Sequence, residues 1–238
     1  MFLAFEDRLS DSPFVERVWR CHSHGGGGAF YSMAEGNLEL VVTRLPSWVF
    51  VTLRGPVTKA AMVECPPDGE WLAIRFRPGI FLPQLPTALL LNHNDLNCPT
   101  SGDRFWFAGQ MWEIPRFENA EAFVAHLARC GIIARDGAVS AVVSGDPQPL
   151  TARSVQRHFL RTTGMTHGQF RQIERARQAV DFLRNGWSIL DVVDAAGYFD
   201  QAHLMRSLKH LIGLTPARLS RGDDQLSFSY KTTPAAIR

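Results

Sequence analysis

The stretch "DAAGYFDQAHLMRSLKHLIGLTPARL", residues 194–219, decides the fold of the second half of the chain. Asp200 is a good N-cap residue, and apolar residues follow it at helical spacing, which predicts a helix over residues 200–212. Gly213 is suited to end that helix in the left-handed conformation, and Pro216 to begin the next one. The other face of the helix is polar, which by itself is typical of a solvated surface. The apolar stripe consists of Leu204, Leu208, Leu211 and Ile212, and the other face carries Gln201, Met205, Arg206 and Lys209.

The same arrangement occurs a second time, 49 residues earlier in the chain. Thr151 corresponds to the cap Asp200, and Gly164 corresponds to the terminating Gly213, with matching core positions between them. Two copies of one helix-turn-helix unit explain this correspondence better than coincidence does. The exposed faces repeat as well, with Arg153, Gln156 and Arg157 in the first unit and Gln201, Met205 and Arg206 in the second.

The segments around the two units also read as helices. A Thr-x-x-Gln capping box predicts a connecting helix over residues 166–185, and shorter helices are expected over 137–144 and 188–196. Twenty residues at about 1.5 Å each span about 30 Å, while successive major grooves on one face of DNA lie about 34 Å apart. Arginine and glutamine can make paired hydrogen bonds to guanine and adenine edges. We therefore expect two reading helices in adjacent grooves.

The charge distribution indicates that a polyanionic partner, if the chain has one, would bind the same half of the chain. The net charge of the 238 residues is +2. Residues 1–149 carry 12 Lys and Arg against 16 Asp and Glu, a net charge of −4, and residues 150–222 carry 11 against 5, or +6. The basic back half is the part that would meet nucleic acid.

The front half reads mainly as strands. Alternating or apolar runs separated by Gly, Pro and Asn predict a small sandwich or barrel, from "FVERVWRC", "LELVVTRL", "SWVFVTLRG", "VTKAAMVEC" and "EWLAIRFRP". Residues 103–114, "DRFWFAGQMWEI", and 118–132 carry apolar residues at helical spacing, so we expect helices there that bridge two domains.

The back half resembles a known family. The segments "TARSVQRHFLRTTGMTHGQFRQIERARQAVDFL" and "SILDVVDAAGYFDQAHLMRSLKHLIGLTPARL" are similar to the two helix-turn-helix units of AraC-type (AraC/XylS) bacterial transcription regulators. The resemblance implies an all-α, bilobed DNA-binding domain that recognises double-stranded promoter DNA and recruits or blocks RNA polymerase. By position, base-reading roles fall on Arg153, Gln156, Arg157, Gln201, Met205 and Arg206, with His203 and Lys209 as candidates for phosphate or edge contacts.

The sequence departs from the family pattern at two places. The loop between the predicted helix at 137–144 and Thr151 contains Pro147 and Pro149 and is longer than the usual tight turn. Ala202 is small and apolar at a position where a polar, base-contacting residue is expected. The front half, with "DSPFVERVWR", "LELVVTR" and "RGPVTKA", resembles the short β-rich N-terminal domains of a subset of these regulators. That resemblance implies a sensing or dimerisation role and a cupin-like sheet, with a small-molecule effector as a candidate partner.

Two sets of side chains in the front half are candidates for a ligand-binding site and a metal site. Polar groups among aromatic walls favour a ligand cavity, although a packed aromatic core explains the same residues, which are Trp19, Glu39, Trp48, Trp71 and Arg75. Cys21, His22 and His24 in "CHSHGGGG" raise the alternative of a cupin-like metal sensor or metalloenzyme fused to a DNA-binding domain. Strand alternation would put Cys21 on the opposite face from both histidines, so a strand running into a glycine loop is the preferred interpretation.

Other function classes lack the residues that their chemistry needs. We expect no enzymatic activity and no cofactor, because no paired carboxylates, Ser-His-Asp set or phosphate loop occurs in the right context. A DNA-repair fusion reacting through cysteine ranks last, since Cys21, Cys65, Cys98 and Cys130 form no spaced zinc set. No apolar run approaches the roughly 20 residues of a membrane helix, and the start lacks a secretory signal, so we expect a cytoplasmic protein.

These observations give an α+β chain of two domains. We predict a β-rich sensing or dimerisation domain over residues 1–100, a helical linker region over 101–135, a double helix-turn-helix domain over 136–222 and a tail over 223–238. The predicted function is sequence-specific regulation of transcription, as a monomer or a homodimer.

Overall fold

The computed structural model describes residues 3–146 and 148–221. Strands dominate residues 3–113, and helices dominate from residue 120 onward, so the predicted α+β class is confirmed. The tail predicted for residues 223–238 lies outside the described residues.

The strands of the described residues include all five of the predicted segments. They are β1 (Leu3–Leu9), β2 (Val15–Ser23), β3 (Gly28–Ser32), β4 (Glu39–Leu45), β5 (Trp48–Arg54), β6 (Ala61–Cys65), β7 (Glu70–Phe76), β8 (Ile80–Phe81), β9 (Leu96–Cys98), β10 (Thr100–Ser101), β11 (Arg104–Phe107), β12 (Gln110–Glu113) and β13 (Ala134–Arg135).

The helices follow the strands in the chain. They are α1 (Ala120–Arg129), α2 (Gly137–Ser144), α3 (Ala152–Thr163), α4 (His167–Arg184), α5 (Ile189–Ala195), α6 (Gln201–Leu211) and α7 (Pro216–Arg221), and short 3-10 turns lie at Thr87–Leu90 and Phe117–Asn119.

One six-stranded antiparallel sheet organises the β domain, in the order β1, β2, β7, β4, β5, β9. Successive side chains of a strand point to opposite faces, so Val18 and Trp19 enter two different cores. The core around Val18 lies under α1 and the hairpin of β11 and β12, and the core around Trp19 lies under the β3–β6 pair. The sheet is therefore covered on both faces, as in a sandwich.

The helix predicted for residues 103–114 is wrong, because this segment forms the β11–β12 hairpin. Phe105, Phe107 and Trp112 alternate into the core with exposed neighbours between them. Ala108 and Gly109 have φ values of 49° and 85°, which suit a tight hairpin turn. Only α1 of the expected linker helices exists, and its buried face packs on the sheet instead of bridging two domains.

The helices from residue 137 onward begin and end close to the predicted positions. Side chains of Thr151, Thr166, Ser188 and Asp200 accept hydrogen bonds from first-turn amides and so cap α3, α4, α5 and α6. Gly213 has φ 87°, as expected for a residue that ends α6 in the left-handed conformation. Local signals in the sequence therefore set the ends of these helices.

Asp136 joins the two helices of the first unit across the long loop. Its carboxylate caps α2 by accepting hydrogen bonds from the amides of Ala138 and Val139. The same carboxylate lies 2.7 Å from Nδ1 of His158 and 2.5 Å from Nη2 of Arg161 on α3. Burial favours a higher pKa for Asp136, but the hydrogen bonds from His158 and Arg161 hold it below its usual range. The first unit thus keeps its packing without a tight turn.

Candidate nucleic-acid interface

The first polar face lies on α3, opposite its buried stripe. Phe159 and Thr162 are buried, while Arg153 and Arg157, four residues apart, are exposed on one side of the helix. Gln156 is half-buried beside them. Neither arginine forms an ion pair with any other described residue. Two unpaired guanidinium groups therefore point outward from α3.

The second polar face lies on α6. Its buried stripe consists of Leu204, Leu208 and Leu211, and its exposed side carries Gln201, Met205, Arg206 and Lys209. Arg206 and Lys209 also lack ion-pair partners within the described residues. The two units thus present the same kind of surface, an outward face with free cations and hydrogen-bonding groups.

His203 differs from the other predicted contact residues because its ring takes part in local packing. The ring is half-buried and lies edge-on to Tyr198, with 5.1 Å between the ring centroids. Its backbone amide donates to the capping carboxylate of Asp200 at 2.6 Å. Any contact of His203 with a nucleic acid would use only the exposed part of the ring.

Phe199 is a surface residue that the sequence did not single out. It precedes the N-cap of α6 and is 91% exposed, although its neighbour Tyr198 is buried. A large aromatic side chain exposed at the start of α6 would be accessible to sugars or thymine methyl groups if this helix met DNA. In "GYFD" the two aromatic residues look equivalent, so only their exposure in the structure separates them.

The helix α4 joins the two units, and two of its arginines are engaged by other parts of the chain. Arg171 is exposed, whereas Arg175 lies over the ring of Tyr198 at 4.4 Å and donates to the carbonyl of Gly197. Arg177 is paired with Glu35 of the β domain. Arg175 and Arg177 are therefore engaged within the chain, and Arg171 is the exposed one of these three arginines.

The predicted ligand residues of the β domain do not line one cavity. Trp19 is buried in the core, and Trp48 is 67% exposed at the start of β5. Arg75 is buried, and its Nε lies 3.0 Å from Oε1 of Glu39, so these two side chains form an ion pair. Trp71 is half-buried at the edge of a groove that the sequence did not predict.

That groove lies between the large sheet and the segment that precedes α1, and its volume is about 740 Å³. Val42 and Leu72 are apolar lining residues from the sheet, and Phe117 lines the groove from the other side. Arg44 and Glu70 add polar groups, and neither forms an ion pair with another described residue. A groove of this size with a few polar groups is suited to a small molecule.

The structure separates the three residues of the alternative metal site. Cys21 is buried in the core, while His22 and His24 are exposed with their ring centroids 4.1 Å apart. Because Cys21 lies on the other face of the strand, the three side chains cannot bind one ion. Within residues 3–146 and 148–221 no three His, Cys, Asp or Glu side chains are grouped as metal ligands would be.

No helix in the described part of the chain combines the length and the apolar character that a membrane span requires.

Comparison with known proteins agrees with the geometry of the helical domain. A family described as helix-turn-helix domain matches residues 149–222. The HTH-type transcriptional regulator RipA of Corynebacterium glutamicum is 31% identical over 75 residues, which are 32% of this chain and 23% of that protein. The chain thus matches about a quarter of the length of this curated relative. No solved structure matches the chain.

Proposed function

We propose that the chain is a sequence-specific DNA-binding regulator of transcription of the AraC type, because residues 149–222 match a helix-turn-helix family and are similar to part of an HTH-type transcriptional regulator. The observation that carries the proposal is the pair of outward helix faces, on α3 and α6, with cations that no other described side chain neutralises. Cations that remain unpaired on a surface are available to phosphates and base edges. The natural target is double-stranded promoter DNA in the cytoplasm of a bacterium.

Each face supplies groups for one major groove. Arg153, Gln156 and Arg157 read the first groove, where Arg pairs with guanine and Gln with adenine. Gln201, Met205 and Arg206 read the second groove, and Met205 reads by apolar contact because its side chain makes no strong hydrogen bonds. Lys209 and the exposed part of His203 contact phosphates or the groove edge.

The length of α4 suits two adjacent grooves. This helix has 18 residues and is about 27 Å long at about 1.5 Å per residue. In the chain α3 precedes this helix and α6 follows it after α5, and successive major grooves are about 34 Å apart. A single chain therefore covers two grooves on one face of the duplex.

Selection of bound genomic fragments by the purified full chain tests this function. We expect enrichment of a few sequences that contain two short motifs about one helical turn apart. Their affinity in mobility-shift titrations should fall steeply between 50 and 200 mM salt, since phosphate contacts release counterions. Enrichment of no sequence, or an affinity that does not depend on salt, would contradict DNA regulation.

The β domain is proposed to sense a small molecule in the groove beside Phe117. Apolar lining residues would hold the body of the ligand, and Arg44 and Glu70 would orient its polar groups. RNA polymerase is the second proposed partner, because regulators at promoters act by recruiting or blocking it.

Thermal denaturation of the full chain with a panel of small amphiphilic molecules tests the sensing role. A ligand of the groove should raise Tm, lose this effect in Arg44→Ala, keep it in Arg54→Ala and change the affinity for the selected DNA. A panel that stabilises the chain without altering DNA affinity would contradict effector sensing.

A further inference from the structure

A short segment of the β domain lies inside the helical domain. We call residues 33–36, "MAEG", the wedge; they follow β3 directly. Met33 and Ala34 are only 3% and 1% exposed, and they belong to the same hydrophobic cluster as Phe170 of α4 and Leu208 of α6. The helical domain therefore completes its core with residues from the other domain.

The wedge contacts the C-terminal end of α6. The amide of Ala34 donates to the carbonyl of Leu211 at 2.7 Å, and the amide of Ala60 donates to the carbonyl of His210 at 2.9 Å. The last four carbonyls of a helix have no partner within the helix. The β domain supplies partners for two of them and so fixes the end of the second reading helix.

The wedge also contacts α4 through charge. The carboxylate of Glu35 lies 2.5 Å from Nη1 of Arg177 and forms a second ion pair with Arg75, which is itself paired with Glu39. The side chains of Glu35 and Arg177 are both 13% exposed, so this cluster is mostly screened from water. Burial favours a higher pKa for Glu35, but Arg177 and Arg75 hold it below its usual range, so Glu35 is charged at neutral pH.

Close backbone packing accompanies these bonds. A Cβ atom at Gly36 would lie 2.5 Å from the ring of Phe170, so only glycine fits there without a shift of the ring. At the first unit, a Cβ atom at Gly164 would lie 2.8 Å from Cα of Ala88, in the 3-10 turn of the β domain. The β domain thus touches the C-terminal ends of both reading helices and leaves their N-terminal polar faces exposed.

We propose that the wedge is a positioning element for DNA binding: anchored by Arg75, Glu35 and Arg177, it holds α6 in the orientation that lets both reading helices enter adjacent grooves. This inference rests on the proposed function. It makes Glu35 and Arg177 determinants of DNA affinity although neither lies on a reading face. It also makes the β domain a part of the DNA-binding unit, unlike a domain tethered by a flexible linker.

Variants of the full chain test the wedge. Arg177→Met removes the charge of Arg177 while keeping a long side chain, Glu35→Gln removes the charge of Glu35, and Arg177→Lys keeps the cation. Arg20→Met is the matched control, because it breaks the exposed pair of Arg20 with Glu6 on the β domain. Circular dichroism and thermal denaturation establish the folded fraction of each variant. Mobility shift and footprinting on the selected two-motif site then measure binding per folded molecule.

The expected result is a selective loss of the second motif. Arg177→Met and Glu35→Gln should bind the full site about tenfold or more weakly per folded molecule, as expected when a buried charge pair is broken. Their footprints should lose protection over the α6 motif and keep it over the α3 motif. The double variant should bind DNA no more weakly than the single variant with the lower affinity, since both changes remove the same interaction. Arg177→Lys should recover most of the loss, and Arg20→Met should bind like wild type.

Three results would overturn the inference. One is unchanged affinity and footprint in both single variants while wild type binds DNA. Another is equal loss over both motifs, which would mark a general loss of structure. If wild type selects no DNA, the proposed function fails, and the inference fails with it.

Discussion

The carboxylate of Asp136 lies 2.5 Å from the guanidinium of Arg161, so the residue that caps α2 also binds α3. This bond spans the loop that contains Pro149 and replaces the tight turn that the family pattern predicts. The position of α3 therefore depends on a charge that can be removed without removing the cap of α2.

Asp136→Asn should weaken the first unit. Asparagine still caps helices, so the variant loses mainly the charge that binds His158 and Arg161. We expect the free energy of unfolding at pH 7 to fall by about 1 kcal/mol, because Arg161 is partly exposed. Urea denaturation measures this change.

The pH dependence of the same variant follows from the lowered pKa of Asp136. The stabilisation is present above the ordinary Asp value of about 3.9 and is lost as pH falls through the lower pKa of the folded state. The difference between wild type and Asp136→Asn should therefore shrink below about pH 4. Asp194→Asn, at an exposed carboxylate, is the control, and an equal effect of both variants would refute this role of Asp136.

Asp181→Asn should stabilise the chain. Burial raises the pKa of Asp181 to about 6, although Arg177, Arg184 and Arg17 act in the opposite direction. Between about pH 4 and 6 the folded state holds a proton that the unfolded state has released, so the contribution of Asp181 to stability decreases as pH rises. At pH 7 the buried carboxylate costs free energy.

We expect Asp181→Asn to raise the free energy of unfolding at pH 7 by about 1 kcal/mol, with the partial exposure of the group taken into account. The gain should disappear at about pH 3, where the wild-type carboxyl is largely protonated in both states. Urea titrations at the two pH values measure it. A variant that is less stable than wild type at pH 7 would show that the carboxylate is needed in its charged form.

Phe199→Ala should lower DNA affinity and leave stability unchanged. The side chain is 91% exposed, so its removal should change the free energy of unfolding by less than about 0.5 kcal/mol. Contact of Phe199 with the duplex at the start of α6 would make the variant bind about tenfold more weakly, within the range for one base contact. Leu190→Ala is the matched control, since Leu190 is 70% exposed on α5, away from the two reading faces. Equal affinities of wild type and Phe199→Ala would place this ring outside the interface.

The helical domain could be predicted from the sequence because its signals are local. Each of the caps Thr151, Thr166 and Asp200 acts on amides within three residues, so spacing alone reveals it. The hairpin at Phe105 and Trp112 is not predictable in this way. Its short apolar runs fit both the helical period of 3.6 residues and the strand period of 2, and the contacts that decide between them are with the distant sheet.

The residues that hold the two domains together could not be predicted. Nothing in the sequence near Arg177 shows that it is paired, because its partner Glu35 is 142 residues away in the chain. Glu39 and Arg75 are predicted as ligand-binding groups for the same reason: the sequence does not reveal that they form a buried ion pair with each other. Local patterns identify the outward faces of α3 and α6, and only the folded chain shows which charges are already paired.

The central claim is that the exposed faces of α3 and α6 read DNA, and a mobility-shift titration of Arg206→Ala on the selected site tests it most directly. The folded variant should bind the specific site more weakly by about 1 to 3 kcal/mol, the value of one good base contact, and should lose discrimination at one base pair. Arg129→Ala, at an exposed arginine of α1, is the control and should bind like wild type. Specific binding by Arg206→Ala that equals wild type in affinity and in base preference would contradict the account.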